Sequence, residues 1–417
     1  MKNKLALIFV LFTAFSINAQ TVVIPNENDT RVITTGMPFV LIAADSRAAS
    51  MGDMGVATSV DAFSQQWNAS KYTFSETKSV IAVSYTPYLS KLVNDIFLGN
   101  VTYFNRLDEK SAFAASFKYF SLGDIEIITE GQANAGNFLP LIERPNELTV
   151  DVSYSLRLAD QFSMAVAMRY LRSDLRIQSA SQFVDAGAAS TFGVDISGYY
   201  QGEEQAYNDF NGRWRGGFAI QNLGPKFKYD QAGQENFQPT MFRLGGGFDF
   251  IFDNYNKLAV TAEITKLLVP TPPIYGDVYN YSDANNNGVY DDGEETDLIE
   301  ENVIYKGQDT NVNFLSGIFQ SFGDAPGGFS EELKEFTWAL GAEYTYDDAF
   351  AFRAGYFNES KDKGARKFLA LGAGFKYNVV NIDMSYLFST AKVQSPLEGT
   401  LRFSLTFNIG SETYREF

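Results

Sequence analysis

Apolar and polar residues alternate with a period of two through much of this chain, and this pattern restricts its fold more than any other feature. In TLRFSLTFNI, which ends at Ile409, every second residue from Leu401 onward is large and apolar, and polar residues lie between them. The same alternation occurs in TVDVSYSLRL from Thr149 and in FSMAVAMRY from Phe162. Successive side chains of a β-strand point to opposite faces. Each stretch therefore predicts a strand with one apolar face, as expected where that face meets lipid.

Fourteen such segments lie between residues 78 and 410, and most are ten residues or longer. Strands of soluble sandwiches are usually about 5 to 6 residues long, whereas a tilted membrane-spanning strand needs about 9 to 11. We therefore predict an all-β membrane protein, a 14-stranded antiparallel transmembrane β-barrel with an N-terminal plug or hatch, rather than a soluble sandwich. The predicted strands start near Lys78, Asp95, Ser111, Asn146, Phe162, Ala188, Arg213, Pro239, Asn256, Glu335, Ala349, Lys367, Val379 and Leu397.

The lengths of the connections predict which end of the barrel faces outward. Links after even-numbered strands are mostly tight, as in ADQF and YDDA, whereas those after odd-numbered strands are long, and the longest spans residues 271–335. Outer-membrane barrels have short periplasmic turns and long extracellular loops. We therefore expect an outer-membrane location with the long loops outside the cell. Because the strand number is even, we expect both termini on the periplasmic side, with residues 411–417 as a periplasmic tail.

The first 77 residues do not alternate. Lys2 and Lys4 precede an apolar run from Leu5 to Phe15 that is too short for a membrane-spanning helix, which indicates a signal peptide over residues 1–19 that is cleaved before Gln20. Residues 20–77 are rich in small residues, Met and Phe, a composition unlike that of disordered chains. We predict that they form a plug or hatch in the barrel; a flexible periplasmic tail is the alternative.

Composition excludes several classes of function. The chain contains neither Cys nor His, so Ser-His-Asp and Cys-His nucleophiles, disulfides and imidazole-bound zinc are ruled out. Its net charge is −17, which opposes binding to nucleic acid because phosphates require a basic surface. We expect a binding protein rather than an enzyme, and no nucleic-acid partner.

The stretch DANNNGVYDDGE, which starts at Asp283, matches the twelve-residue spacing of a calcium-binding loop. The long loop that contains it carries 14 acidic residues and two lysines, so a bound cation would relieve strong self-repulsion. A turn-forming sequence, or acidic residues that merely solvate the loop, would also explain the pattern. A structural Ca²⁺ would be held by Asp283, Asn285, Asn287, Val289 (through its carbonyl), Asp291 and Glu294, with Gly288 at the sharp turn.

Further along the same loop, VNFLSGIFQSFGDAPGGF is apolar and rich in Gly. Exposed apolar groups of this kind mark contact surfaces, although the segment could instead fold back into the mouth of the barrel. Under the first interpretation, it would contact a translocon or cargo protein through Phe314, Leu315, Ile318, Phe319, Phe322 and Phe329.

Three stretches resemble a known group of proteins. AADSRAASMGDMGVATSVDAFSQQWNAS is similar to the N-terminal segment of FadL-like outer-membrane proteins, with Asn68-Ala69-Ser70 in place of an Asn-Pro-Ala-like step. RGGFAIQNLGPKFKYD resembles the seventh-strand motif of that group, and WALGAEYTYDDAFAFRAGYF resembles a later hairpin. Within the group, the chain most resembles the PorV family of the type IX secretion system.

This resemblance implies a role that the periodicity does not indicate. PorV-like proteins dock beside a large translocon barrel of the SprA (Sov) kind, bind the C-terminal signal domains of cargo proteins, and pass the cargo to surface attachment proteins. The resemblance also implies contact with lipid and lipopolysaccharide, and it carries no catalytic residues. The alternative is a FadL-like channel for hydrophobic small molecules such as fatty acids, and only the family resemblance favours secretion over transport.

Overall fold

A computed structural model describes residues 20–26, 30–127, 141–176, 188–230, 233–285, 287–391 and 396–410. The predicted signal peptide and the predicted tail at residues 411–417 lie outside these ranges. Strands dominate the described part, and they are β1 (Gln20–Pro25), β2 (Ser79–Pro87), β3 (Ile96–Arg106), β4 (Ser111–Leu122), β5 (Ile125–Ile127), β6 (Leu141–Glu143), β7 (Asn146–Ala159), β8 (Phe162–Asp174), β9 (Ala189–Gln201), β10 (Gln205–Ala206), β11 (Asn211–Leu223), β12 (Met241–Ile251), β13 (Asn256–Leu267), β14 (Ile274–Tyr281), β15 (Glu295–Lys306), β16 (Thr337–Tyr346), β17 (Phe350–Asn358), β18 (Lys367–Tyr377), β19 (Val380–Ser389) and β20 (Leu401–Asn408).

Fourteen of these strands form a closed antiparallel barrel, which confirms the predicted fold class. The order is β2, β3, β4, β7, β8, β9, β11, β12, β13, β16, β17, β18, β19 and β20, and β20 pairs with β2 to close the ring. The register of the wall shifts where β9 meets β11, because Ile220 pairs with Ile196 but Leu223 pairs with Val194. Asn222 lies at this bulge with a φ of 57°, and its backbone N–H donates to Asp195 Oδ1 at 2.7 Å.

The alternation of the sequence separates an apolar outer face from a polar inner face. In β7, Val152 and Tyr154 are 55% and 51% exposed, whereas Asp151 and Ser153, which alternate with them, are each 2% exposed. A soluble protein would bury the apolar face. The reverse arrangement matches a wall with lipid outside and polar side chains inside.

Four short helices lie among the described residues between β1 and β2. Their residues belong to what we call the luminal segment, Met37–Ser75, most of which is buried against inward-facing strand residues. Gly217 and Gly355 lie on the inner wall where the backbone of this segment passes, and a Cβ at either position would overlap that backbone. The helices are Pro38–Leu41 and Ala69–Phe74 (both 3-10) and Ser46–Ser50 and Ser64–Trp67 (both α).

The N-terminal strand contradicts one prediction. β1 pairs along its whole length with β14, which lies in the longest loop between the ninth and tenth barrel strands. The start of the described chain is therefore at the long-loop end of the barrel, not at the short-turn end where we expected both termini. Parity fixes only where barrel strands begin and end, and the luminal segment carries the chain between the two ends without adding a strand.

The remaining helices lie in the longest loop, at Phe314–Gln320 and Phe329–Glu332, followed by a 3-10 turn at Leu333–Glu335. Among the residues that the structure describes, no helix is long and apolar enough to cross a membrane.

Candidate functional site

The longest loop divides into two parts that project from the long-loop end of the barrel. The first part is the hairpin of β14 and β15, which forms a three-stranded sheet with β1. The second part is the pair of helices from Phe314 to Glu332, which returns the chain to β16. The predicted calcium residues lie in the first part and the predicted contact residues in the second.

The predicted calcium residues form the turn between β14 and β15, and hydrogen bonds bring most of them together. The Asp283 carboxylate accepts the backbone N–H groups of Asn287 (3.1 Å) and Gly288 (2.7 Å). The Glu294 carboxylate accepts the N–H groups of Ala284 (2.9 Å) and Asp291 (3.0 Å). The first and last positions of the pattern therefore close the turn from both ends.

The amide side chains of the turn also converge on one carboxylate. Asn285 Nδ2 and Asn287 Nδ2 lie 2.6 and 2.8 Å from Asp291 Oδ2, and Asn287 Oδ1 accepts the N–H of Val289 at 2.7 Å. The donor set contains only oxygen, which suits a hard cation such as Ca²⁺, but both amides would have to rotate to present oxygen. In the described ranges, no group of three or more acidic residues is placed to hold a metal. The calcium site stays a prediction.

The second part of the loop presents an exposed apolar surface rather than folding back into the barrel. Asn313 caps its helix, with Oδ1 accepting the Ser316 N–H at 2.9 Å. Gly317 is buried against Phe237 and Pro270, which fixes one face of the helix. Phe314 and Ile318 are half-buried. We call the remaining four predicted residues the apolar rim, and they are Leu315 (51% exposed), Phe319 (77%), Phe322 (55%) and Phe329 (77%).

A buried ionic cluster anchors this part of the loop to the barrel. Lys363 Nζ lies 2.8 Å from both Glu331 Oε1 and Glu335 Oε1, and all three side chains are at most 5% exposed. Lys266, fully buried at the outer end of β13, pairs with Glu335 and lies 3.4 Å from Glu332. Each charged group in the cluster has a partner of opposite sign. The cluster can therefore be buried, whereas unpaired charges would oppose burial.

Asp324 lies beside this cluster, and the charge of its carboxylate is less well compensated by neighbouring groups. Its Oδ2 accepts the N–H of Thr271 at 3.0 Å, while its buried Oδ1 has no hydrogen-bond partner among the described residues. Burial raises the pKa of Asp324 to about 6, and the nearby charges of Glu335 and Glu332 add to this effect, although the Thr271 N–H opposes it. Burial also acts to raise the pKa of Glu335, but the bonds from Lys266, Lys363 and Thr271 lower it overall.

Inside the barrel, the luminal segment is held by ion pairs to the wall. Arg47 donates to both oxygens of Glu343 (2.7 and 2.9 Å) and to Asp61 at 2.8 Å. Glu263 Oε2 accepts the N–H groups of Gly55 and Val56, each at 2.9 Å. A cavity of about 410 Å³ lies beneath the segment at the short-turn end, with Arg47, Asp61 and Glu343 among its lining residues.

Sequence reasoning missed both the ionic cluster and the wall contacts. Lys363 meets Glu335 across 28 residues, and Arg47 meets Glu343 across 296. The only local signal of these contacts is a charged residue at an inward-facing strand position, as at Glu343. The alternation requires no more than a polar residue there.

The family of the chain follows from a comparison with known families. The family described as "Type IX secretion system protein PorV" matches residues 25–274, which is well over half of the 417 residues. The chain belongs to the PorV family. This confirms the resemblance noted in the sequence, and it agrees with the outer-membrane location that the barrel indicates. PorV proteins are type IX secretion components, so a role in that system follows for the family as a whole.

Solved structures similar to this one include two toluene transporters and a FadL homologue. The toluene transporter TbuX of Ralstonia pickettii is 12% identical, with a TM-score of 0.44, and the match covers 88% of this chain and 97% of TbuX. The corresponding values for the Pseudomonas putida toluene transporter TodX are 10%, 0.47, 91% and 98%. Those for a Pseudomonas aeruginosa FadL homologue are 11%, 0.41, 91% and 100%. No curated protein matches the chain.

Proposed function

We propose that this PorV-family barrel docks on the large translocon barrel of the type IX system, binds the C-terminal signal domains of cargo, and passes cargo to the surface attachment proteins. The family match over residues 25–274 is the observation that carries the proposal. The barrel is an outer-membrane fold, which supports this proposal; the protein would lie among lipid and lipopolysaccharide, with its long loops on the side where we propose that cargo emerges.

The apolar rim is the proposed contact surface for the translocon or its cargo. Its four side chains are 51% to 77% exposed, and they lie on a short helical unit that the buried ionic cluster holds in place. Exposed aromatic groups on a rigid support suit protein recognition, because little conformational freedom is lost when they bind. Contact energy in such surfaces is concentrated in a few large side chains.

A passive channel for hydrophobic molecules receives less support. The luminal segment occupies the barrel interior with buried ion pairs such as Arg47–Glu343 and with backbone groups bonded to Glu263. A hydrophobic solute that crossed this region would have to separate charges that lie in contact with the wall. We propose that the segment acts as a plug, and that recognition at the outer loops is the main function.

Calcium has a supporting role in this proposal. A Ca²⁺ would stiffen the tip of the acidic hairpin and lower its self-repulsion. Its ligands would be Asp283, Asn285, Asn287, Val289 (through its carbonyl), Asp291 and Glu294. Without an adjoining pair of helices of the signalling type, the site would serve structure rather than regulation.

Affinity purification of the tagged protein from native outer membranes tests the proposal. We expect a much larger barrel and exported proteins with a shared C-terminal domain to co-purify, and we expect Phe319→Asp with Phe329→Asp to reduce both several-fold. Leu298→Asp with Ile299→Asp is the matched control, because it places the same charges at exposed apolar positions of β15 in the same loop. Recovery of the isolated barrel alone would refute the secretion role. Equal losses in both double variants would refute the assignment to the rim.

A further inference from the structure

The strand that follows the predicted signal peptide is part of the outer loop. β1 pairs with β14 in unbroken register, from Gln20 opposite Tyr281 to Pro25 opposite Gly276. The N–H of Asn26 continues the ladder to the carbonyl of Tyr275 at 2.9 Å. This is the regular hydrogen bonding of a sheet strand, not a chance contact of a terminal segment.

Contacts farther along the chain follow the same side of the barrel. Arg31 forms an ion pair with Glu331, and its Nε donates to Glu331 Oε1 at 2.9 Å. The N–H of Gly36 donates to the carbonyl of Phe237 at 2.9 Å. Phe237 and Glu331 belong to two different long loops, so the chain is still at the long-loop end when it reaches the luminal segment.

The luminal segment then carries the chain to the opposite end. It ends at Ser75, close to the start of β2. The N–H of Ile409, which directly follows the last wall strand, donates to the carbonyl of Ser79 at 2.8 Å. The start of β2 and the end of β20 are both at the short-turn side. The chain therefore runs through the whole height of the barrel before the first wall strand begins.

The hairpin that β1 joins needs a third strand. The register of β14 with β15 shifts at four places, and two-stranded hairpins are at best marginally stable alone. Residues 274–306 carry nine acidic side chains against Lys306 alone. The sequence of β1, QTVVIP, has no charge, so it adds a regular ladder of hydrogen bonds without adding repulsion.

We propose that Gln20–Pro25 is an extracellular strap: it lies on the cell surface, before the chain enters and passes through the barrel, and it holds the acidic hairpin in place by strand addition. The luminal segment then closes the interior of the barrel and also crosses it from one end to the other. The strap joins the outermost loop to the segment inside, and removal of the strap frees the edge of β14.

Single cysteines test the location, because the chain contains no Cys of its own. Thr21 is exposed on the strap, and Tyr377 is 74% exposed at the short turn after β18. We expect a membrane-impermeant maleimide to label Thr21→Cys on intact cells and to label Tyr377→Cys only after the outer membrane is opened. Labelling of Thr21→Cys only in opened cells would overturn the proposal.

Paired cysteines test the strand register. Val23 lies opposite Val278, within the roughly 4.5 to 5.5 Å between facing Cα atoms that a disulfide can bridge. We expect mild oxidation to join Val23→Cys to Val278→Cys. The matched pair Val23→Cys with Tyr281→Cys is offset by three residues, about 10 Å along the strand, and should stay reduced. Equal cross-linking of both pairs would show that the strap is not held in this register.

A charge placed in the strap tests its role in holding the hairpin. Val23→Asp brings a carboxylate beside an acidic hairpin, whereas Val23→Thr keeps a neutral, β-branched residue. Like charges on facing strands weaken pairing enough for a roughly two- to fivefold change in opening. We expect Val23→Asp to speed proteolysis of the hairpin turn by that factor on intact cells, with Val23→Thr unchanged. Unchanged cleavage in Val23→Asp would overturn the strap's role.

Discussion

Asp324 makes the stability of the outer loop depend on pH. Its carboxylate is buried with one oxygen unpaired, and burial raises its pKa from 3.8 to about 6. The folded loop therefore binds the proton more tightly than an unfolded loop does. The stabilisation from this group is complete below about pH 4 and is lost as the pH rises through about 6. The substitution Asp324→Asn removes the ionisation while keeping an oxygen for the Thr271 N–H.

The size of the effect follows from the shift. A change of about two pKa units corresponds to about 3 kcal/mol, since each unit is worth about 1.4 kcal/mol. At pH 8 we expect the Asp324→Asn loop to be more stable than wild type by up to that amount, or about two orders of magnitude in the opening equilibrium. Near pH 4, where wild-type Asp324 is protonated, the two loops should be equally stable.

Amide hydrogen exchange of residues 271–335, followed by mass spectrometry at several pH values in detergent, measures this opening directly. Asp309→Asn is the matched control, because it removes an exposed acidic residue from the same loop and should leave the pH dependence in place. If Asp324→Asn exchanges at the wild-type rate at pH 8, or faster, the argument from burial is wrong.

Two other perturbations act on the same loop. Lys363→Met leaves Glu331 and Glu335 buried without one of their partners, so we expect the loop to lose about 3 to 5 kcal/mol of stability. Proteolysis near those residues should become rapid, while the barrel stays resistant to SDS without heating. Chelation of calcium, or Asp283→Ala with Glu294→Ala, should increase proteolysis at the hairpin turn; a wild-type digestion pattern that is unchanged by chelator would exclude a structural ion.

The barrel could be predicted because a membrane imposes one rule on every strand. Strands that started at Ser111, Asn146, Phe162, Asn256 and Lys367 by sequence start at the same residues in the structure. Each wall strand must turn an apolar face to lipid, so each one repeats the pattern without reference to its neighbours. Strand number and the direction of the loops then follow from counting.

The interior and the outer loop could not be predicted in this way. The pairing of Lys266 with Glu335 depends on where a loop of more than sixty residues returns, and no periodic pattern records that. The expectation that both termini lie at the short-turn end was wrong at the N-terminal side for a similar reason. Strand parity describes the wall, whereas β1 is placed by its pairing with β14, and that pairing depends on the path of the chain through the lumen.

The inner-wall glycines make the shape of the barrel wall complementary to the chain that lies within it. At Gly217 and Gly355, the wall has no side chain because the backbone of the luminal segment passes through the space that a Cβ would fill. A luminal segment transplanted from another barrel would thus need its own glycines moved with it, at matching heights on different strands. The barrel wall and the luminal segment can therefore be exchanged only together. Alanine at either glycine should be harder to tolerate than most changes on the lipid-facing surface.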